Sequence, residues 1–229
     1  MKGKKTTTLL KAIAFGTILP MATSTYAGAD QSALYKVVFV PTWNAASHPV
    51  EYPTGLGHFS PLIGATHATG YHIFKVGTKP TPGLENLSEH GQHNPLDEEI
   101  NAAIKAGKAG SLIETKEPLK GEVHQPASTT FTATTKFPMV SMVAMIAPSP
   151  DWFVGVGDVN LYKNGKWVPT VTVDAYAWDS GGDDGQTYQA DDKDTNPKKP
   201  TTMAKTKHFT QNGKQVPVGV FVFTRIPGQ

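Results

Sequence analysis

The acidic side chains of this 229-residue chain are unevenly spread. Asp151 follows Pro148-Ser149-Pro150 at a strand boundary. Asp174, Asp179, Asp183 and Asp184 fall in Val173-Asp-Ala-Tyr-Ala-Trp-Asp-Ser-Gly-Gly-Asp-Asp-Gly185, and Asp191, Asp192 and Asp194 come soon after. Carboxylates crowded onto neighbouring loops repel one another unless a cation sits between them, and a hard cation such as calcium takes six to eight oxygens from carboxylates, carbonyls and water. Gly181, Gly182 and Gly185 give the chain the freedom to turn those oxygens toward one point. The spacing is not that of an EF-hand, which needs D-x-[DN]-x-[DN]-G and a glutamate at the twelfth position. Two readings stay open on the residues alone: a cation site, or a solvated acidic loop.

Histidine supplies a second cluster. Of the chain's 8 histidines, His48, His58, His67, His72, His90 and His93 lie between residues 48 and 93. Neutral imidazole is a common transition-metal ligand, and His90-x-x-His93 could offer two to one ion. The pair lacks the H-E-x-x-H context of a zinc hydrolase and lies in an expected loop, and His72 reads as a hydrogen-bonded structural residue in mid-strand. No serine stands in a G-x-S-x-G elbow. Gly155-Val156-Gly157 lacks the third glycine and the following helix of a dinucleotide fingerprint. Trp43, Trp152, Trp167 and Trp178 read as packing residues, with a face for a sugar or peptide as the alternative.

The elements that must position these residues are mainly strands. Residues 34–40, 71–76, 129–136, 139–146, 152–156, 159–162, 167–178, 202–210 and 218–226 are rich in β-branched, aromatic or alternating apolar residues, and most are bounded by Pro, Gly or Asn. Asn164-Gly165 and Asn212-Gly213 are hairpin signals. Residues 79–95 read as mostly loop. One helix follows, with Asn94 as its cap, Pro95 in its first turn, Asp97, Glu98 and Glu99 at its positive end, and Gly107 as its stop. A further helical turn is expected over residues 111–114. The expected fold is an all-β, antiparallel sandwich of about eight strands with one short helix. The acidic stretch 180–200 becomes one long loop of a single domain over residues 28–229.

Composition narrows the function classes. The absence of cysteine excludes disulfides, thiolate metal sites, a cysteine nucleophile and a lipoprotein anchor. The 22 Gly and 18 Pro favour a turn-rich β chain. Residues 1–27 have the order of a secretory signal peptide: Lys2, Lys4, Lys5 and Lys11 without an acid, an apolar stretch from Ala12 to Ala22, then small residues. Cleavage after Ala27 is preferred, with Ala29 as the alternative. Losing four of the 21 basic residues leaves 17 against 19 acidic, a net charge of −2 in place of +2. That removes electrostatic support for a nucleic-acid partner. No other run is long and apolar enough for a membrane span. The expectation is export to the periplasm or the extracellular space.

Three separated stretches carry a resemblance. They are Pro41-Thr-Trp-Asn-Ala-Ala-Ser-His-Pro49 with His58-Phe-Ser-Pro-Leu-Ile-Gly-Ala-Thr-His67, then Ala147-Pro-Ser-Pro-Asp-Trp-Phe-Val-Gly155, then Trp178-Asp-Ser-Gly-Gly-Asp183. Together they resemble the spondin domain, over about residues 33–225. The resemblance implies a C2-like antiparallel sandwich that binds one structural calcium ion at its loop end. By position it makes Asp151, Asp179 and Asp183 the metal ligands, with a carbonyl near Tyr176 or Ala177 and water completing the shell. The usual D-A-G-T-D of the family stands here as Asp179-Ser-Gly-Gly-Asp183, which keeps both carboxylates. The cysteines of animal members are missing, so the partners of those members are not carried over. The resemblance further implies a non-enzymatic domain that recognises an extracellular or cell-surface protein or glycan. A carbohydrate-binding module and a histidine-dependent metalloenzyme are the alternatives.

Overall fold

The strand that opens the domain shows how the sequence builds the core. Residues of Ser32–Pro41 alternate in burial, with Ala33, Tyr35, Val37 and Phe39 sealed inside. Side chains two apart share a face of a strand, so this alternation commits one face to a core. The computed structural model describes residues 31–116, 119–120 and 125–228, together with Met1 and Gly3. Apart from those last two positions, the leader expected over residues 1–27 lies outside the described residues.

Eight longer strands form the framework: β1 (Ser32–Pro41), β2 (Ile63–His67), β3 (Ala109–Glu114), β4 (Ala127–Thr134), β5 (Met139–Ala147), β6 (Trp152–Asn160), β7 (Thr170–Asp179) and β8 (Gly219–Arg225). They are hydrogen-bonded in the order β3-β2-β5-β6-β7-β8-β1-β4, every neighbouring pair antiparallel. Strand β7 belongs to two layers: its first part, Thr170 to Ala175, pairs with β8, and its last part, Tyr176 to Asp179, pairs with β6. At the far side the outer strands meet again, where the Ser111 hydroxyl donates to the Thr132 carbonyl at 3.1 Å. The fold is therefore an antiparallel sandwich that nearly closes on itself.

Between the layers lies the main core. Tyr35, Val37, Phe39, Phe221 and Phe223 of one layer share it with Val140, Met142, Ala144, Ile146 and Trp152 of the other. Each Val, Ile, Met or Phe among them contributes on the order of 1.5–3 kcal/mol when fully buried. The near-continuous apolar run of β5 has a second reason. Val143 of β5 and Phe153 of β6 point to the outer face, where a second core forms with Ile63, Leu84, Leu87, Leu96 and Ile100.

Leu84, Leu87, Leu96 and Ile100 belong to two helices, α1 (Pro82–His90) and α2 (Leu96–Lys105). Helix α1 corrects the loop expected over residues 79–95. It carries the usual punctuation of a helix: Thr81 Oγ1 accepts from the Leu84 N–H at 3.2 Å, Pro82 stands in the first turn, and Gly91 ends it in the left-handed region at φ 68°. In α2 the expected cap is corrected too. Pro95 holds the capping position without a side-chain bond, and the Asn94 amide donates to Glu98 at 2.8 Å.

Four other expectations change. Residues 71–76 form no strand: they cross the outer face of the second layer, where Ile73 is buried and Phe74 packs on Phe153 and Trp178. Residues 111–114 belong to β3, not to a helical turn, since β2 offers them a pairing edge. The stretches 152–156 and 159–162 are largely one strand, β6, with a register shift opposite Val140 and Met142. Of residues 202–210 only Thr202–Met203 and the start of Thr210–Gln211 pair. Both Asn-Gly turns form as expected, with Asn164, Gly165, Asn212 and Gly213 all at positive φ.

Candidate functional site

The β6–β7 ladder ends at the pair Trp152 and Asp179, so Asp151 and Ser180 are the first residues beyond it. The Ser180 N–H donates to the Asp151 carbonyl at 3.2 Å, which extends the ladder by one step. From there the chain turns sharply through Gly181, at φ 87°, where an added Cβ would stand 2.3 Å from the Lys199 carbonyl oxygen. Only glycine fits such a turn against a neighbouring backbone.

The turn wraps one oxygen of Asp151. Asp151 Oδ2 accepts from the Ser180 hydroxyl at 3.0 Å and from the N–H groups of Gly181, Gly182 and Asp183 at 2.8, 2.9 and 3.3 Å. Successive N–H groups aimed at one point make a concave anion-binding nest. The other oxygen, Oδ1, is buried without a hydrogen-bond partner. Asp151 is fully buried, and burial pushes its carboxyl above the ordinary range, while the bonds from Asp183, Ser180, Gly182 and Gly181 pull it back.

Asp183 is nearly buried and organises the loop that follows. Its two carboxylate oxygens accept from the N–H groups of Gly185 and Lys193. Asp179 is half-buried. Burial first, and then the charge of Asp151, push it up to about 7. The other acidic residues stand apart: Asp184 pairs with Lys199 and Asp194 with Lys198, Asp191 and Asp192 are exposed in the loop, and Asp174 is exposed in mid-strand on β7.

A carboxylate from a distant element joins this site. Glu89, near the end of α1, lies against Gly182, so that an added Cβ there would stand 2.4 Å from Glu89 Oε1. That oxygen is buried without a hydrogen-bond partner, like Asp151 Oδ1. Burial, and next the charge of Glu85, push Glu89 up to about 7; Asp151 and Asp183 act in the same direction. Lys198 balances part of this charge, with its ammonium 2.7 Å from Glu85 and 3.2 Å from the Gly182 carbonyl. Glu89 is not marked as a site residue by the sequence, because residues 79–95 read as mostly loop. Its signal was the Thr81-Pro82 start, the Leu84 and Leu87 spacing and the Gly91 stop.

The donors are all hard oxygens, and two of them are sealed from water without a partner, which suits a hard cation and not a soft one. As they stand, no three histidine or acidic side chains among the described residues are gathered closely enough to hold one ion. The structure thus brings Asp151, Asp179 and Asp183 to one end of the sandwich without converging their carboxylates on a single point.

The described histidines do not gather around one ion. His93 Nδ1 meets Glu114 at 2.6 Å and its Nε2 meets the Pro61 carbonyl at 3.1 Å, while His90 is exposed and 3.9 Å from Glu89. His72 does not lie in a strand, and its Nδ1 bonds Asp158. Trp43 and Trp152 are fully buried, Trp167 is buried, and the partly buried Trp178 donates to the Gly155 carbonyl at 3.0 Å.

An antiparallel sandwich with a carboxylate-rich loop end defines the class of protein. The sequence profile described as Spondin_N matches residues 33–216, and the chain belongs to that family. It is 30% identical over 208 residues to Spondin-1 of Xenopus laevis, a match covering 85% of this chain and 25% of that protein. To human Spondin-1 it is 31% identical over 171 residues, which is 72% of this chain and 21% of the relative. Human Spondin-2 is 27% identical over 226 residues, covering 98% of this chain and 66% of the relative. The chain therefore spans about a quarter or less of the length of these Spondin-1 proteins. No helix among the described residues is long and apolar enough to cross a membrane.

Proposed function

We propose that this spondin-family chain is an exported, non-enzymatic recognition domain that binds one calcium ion at the end of its sandwich. The observation that carries the reading is the pair of buried carboxylate oxygens without partners, Asp151 Oδ1 and Glu89 Oε1, on either side of the Gly181–Gly182 turn. Asp151, Asp179 and Asp183 would hold the ion, with Glu89 beside them. A bound calcium supplies positive charge that offsets the repulsion among these groups and fixes the loop. The nest around Asp151 positions one ligand before any ion arrives, and Asp183 holds the loop's return through Gly185 and Lys193. The role is structural and electrostatic. The partner it serves is an extracellular or cell-surface protein or glycan.

The metalloenzyme alternative loses support from His93, whose two ring nitrogens are both engaged. A sugar-stacking role for Trp43, Trp152 or Trp167 loses support from their burial. Thermal unfolding with calcium and with EDTA, together with calorimetric titration of calcium, tests the reading. Calcium is expected to raise the Tm and EDTA to lower it, and Asp179→Asn and Asp183→Asn are expected to abolish the response. A wild-type protein that binds no calcium and shows no shift would sink the proposal.

A further inference from the structure

On the outer face of the second layer a cleft of about 280 Å³ opens beside the start of α1. Its floor is apolar, with Leu84 buried and Phe74 held at ring-centroid distances of 5.1 Å from Phe153 and 5.3 Å from Trp178. Tyr71 forms one wall, its ring 5.6 Å from that of buried His67. Lys75, Lys79 and Lys108 line the rim and are exposed, and none of them forms a salt bridge among the described residues. The Tyr71 hydroxyl likewise has no protein hydrogen bond there. Two carboxylates lie nearby: Asp158 pairs with His72 at 2.9 Å, and Glu99 accepts from the Gly83 N–H at 2.8 Å but keeps its charge, so that burial, and then Glu99, push the Tyr71 hydroxyl up to about 12.

The charged groups of the lining are therefore all cationic, around an apolar floor. Three ammonium groups and a phenol can satisfy an acceptor-only anion but offer little to a neutral ligand. The contrast with the rest of the molecule matters, because the chain without its leader has more acids than bases. The volume falls just below the usual range of ligand pockets, about 300–1,000 Å³, and suits one ring or one branched side chain and its charged head.

We infer that this cleft is a binding site for a carboxylate with a compact apolar body, an aryl or branched-alkyl acid, whose body lies on Phe74 and Leu84 while its carboxylate meets Lys75, Lys79, Lys108 and the Tyr71 hydroxyl. The same chemistry is offered by a free small acid and by the C-terminal residue of a polypeptide. The cleft adjoins the acidic turn at Thr201, whose hydroxyl donates to the Ser180 carbonyl at 3.1 Å, but its three lysines lie outside that turn, so binding is expected without calcium.

Titration of the ¹⁵N-labelled full chain in EDTA, followed through the amides of residues 71–79, tests it. The probes are 3-phenylpropionate, N-acetyl-glycyl-phenylalanine with a free C-terminus, and the neutral amide of each. Saturable shifts are expected with an acid, together with at least about tenfold weaker binding of its amide and of the acid to the Lys75→Gln/Lys79→Gln/Lys108→Gln variant. Tyr71→Phe is expected to cost about threefold. Tighter binding of the peptide than of the free acid identifies a chain terminus as the source, and the reverse identifies a free acid. No saturable shift, equal binding of acids and amides, or unchanged binding to a folded triple-lysine variant would overturn the inference. The lysines are exposed, so the variant's Tm provides the folding control.

Discussion

Asp151 accepts four hydrogen bonds through one oxygen and none through the other. Removing the carboxylate therefore does more than remove a metal ligand, because it leaves the Ser180 hydroxyl and three N–H groups without their acceptor inside the protein. Asp151→Ala is expected to cost roughly 3 kcal/mol or more in urea denaturation, since each buried donor left unsatisfied costs about 1–3 kcal/mol. Asp179 is the opposite case. It is held up by burial and by the charge of Asp151, so Asp179→Asn is expected to leave the metal-free protein as stable as wild type or more so at pH 8, while removing the calcium response. A large loss of metal-free stability in that variant would contradict the assigned electrostatics. His67 gives a separate check. Its Nδ1 meets the Ala68 carbonyl at 3.0 Å, which makes that nitrogen the donor, and Nε2 then accepts from the Ser141 hydroxyl at 2.8 Å. Burial holds the folded pKa below 6.5. Below the unfolded value the unfolded chain takes a proton that the folded chain refuses, so this contribution to stability is present above about pH 6.5 and is lost as pH falls. Imidazole ¹⁵N shifts are expected to show an Nδ1-protonated neutral ring that titrates with a midpoint below 6.5. A midpoint above 6.5 would contradict the assignment.

Elements explain what was legible in the sequence. The alternating and apolar strands β1, β5 and β8 and the two Asn-Gly turns could be read directly, because each pattern is local and answers to one physical demand. Strand β2 could not, since Ile63 to His67 are all buried and show no alternation after Pro61. Residues 71–76 misled for the converse reason: they are β-rich in composition, but Ile73 and Phe74 serve the helix-side core from a segment that pairs with no strand. Of the site, Asp151, Asp179 and Asp183 were legible as carboxylates near glycines and through the family resemblance. Glu89 was not, because only the packing of α1 on the sandwich carries it to Gly182. The glycines give a test at this scale. Gly181→Ala places a Cβ 2.3 Å from a backbone oxygen at φ 87°, whereas Gly165→Ala meets nothing within 4 Å at φ 74°. Both lose the left-handed freedom of glycine, worth about 1 kcal/mol. Gly181→Ala is expected to cost about 2 kcal/mol beyond Gly165→Ala in urea denaturation, and equal losses would mean that the turn at Asp151 is not constrained as described.

Across the whole molecule, the two layers are covalently and cooperatively one object. Strand β7 runs through both, the main core takes side chains from each, and the helix-side core rests on the back of β5 and β6, the strands that supply the main core from their other face. A change at the Asp151 end therefore acts on a strand boundary that both cores share. If calcium binds there, its effect belongs to the stability of the whole domain and not to the loop alone. At a free concentration 100-fold above its Kd, a ligand specific for the folded state adds about 2.7 kcal/mol. For a chain of this size that corresponds to roughly 5–10 °C in Tm. Tryptophan fluorescence reports mainly on the main core, which holds Trp43, Trp152 and Trp167, and far-UV circular dichroism reports on helices and strands together. The two probes are expected to give coincident midpoints without calcium and to move together when it is added. Midpoints that separate, or a calcium shift seen by one probe only, would mean that the helical face or the acidic end unfolds as its own unit, against the shared-core architecture.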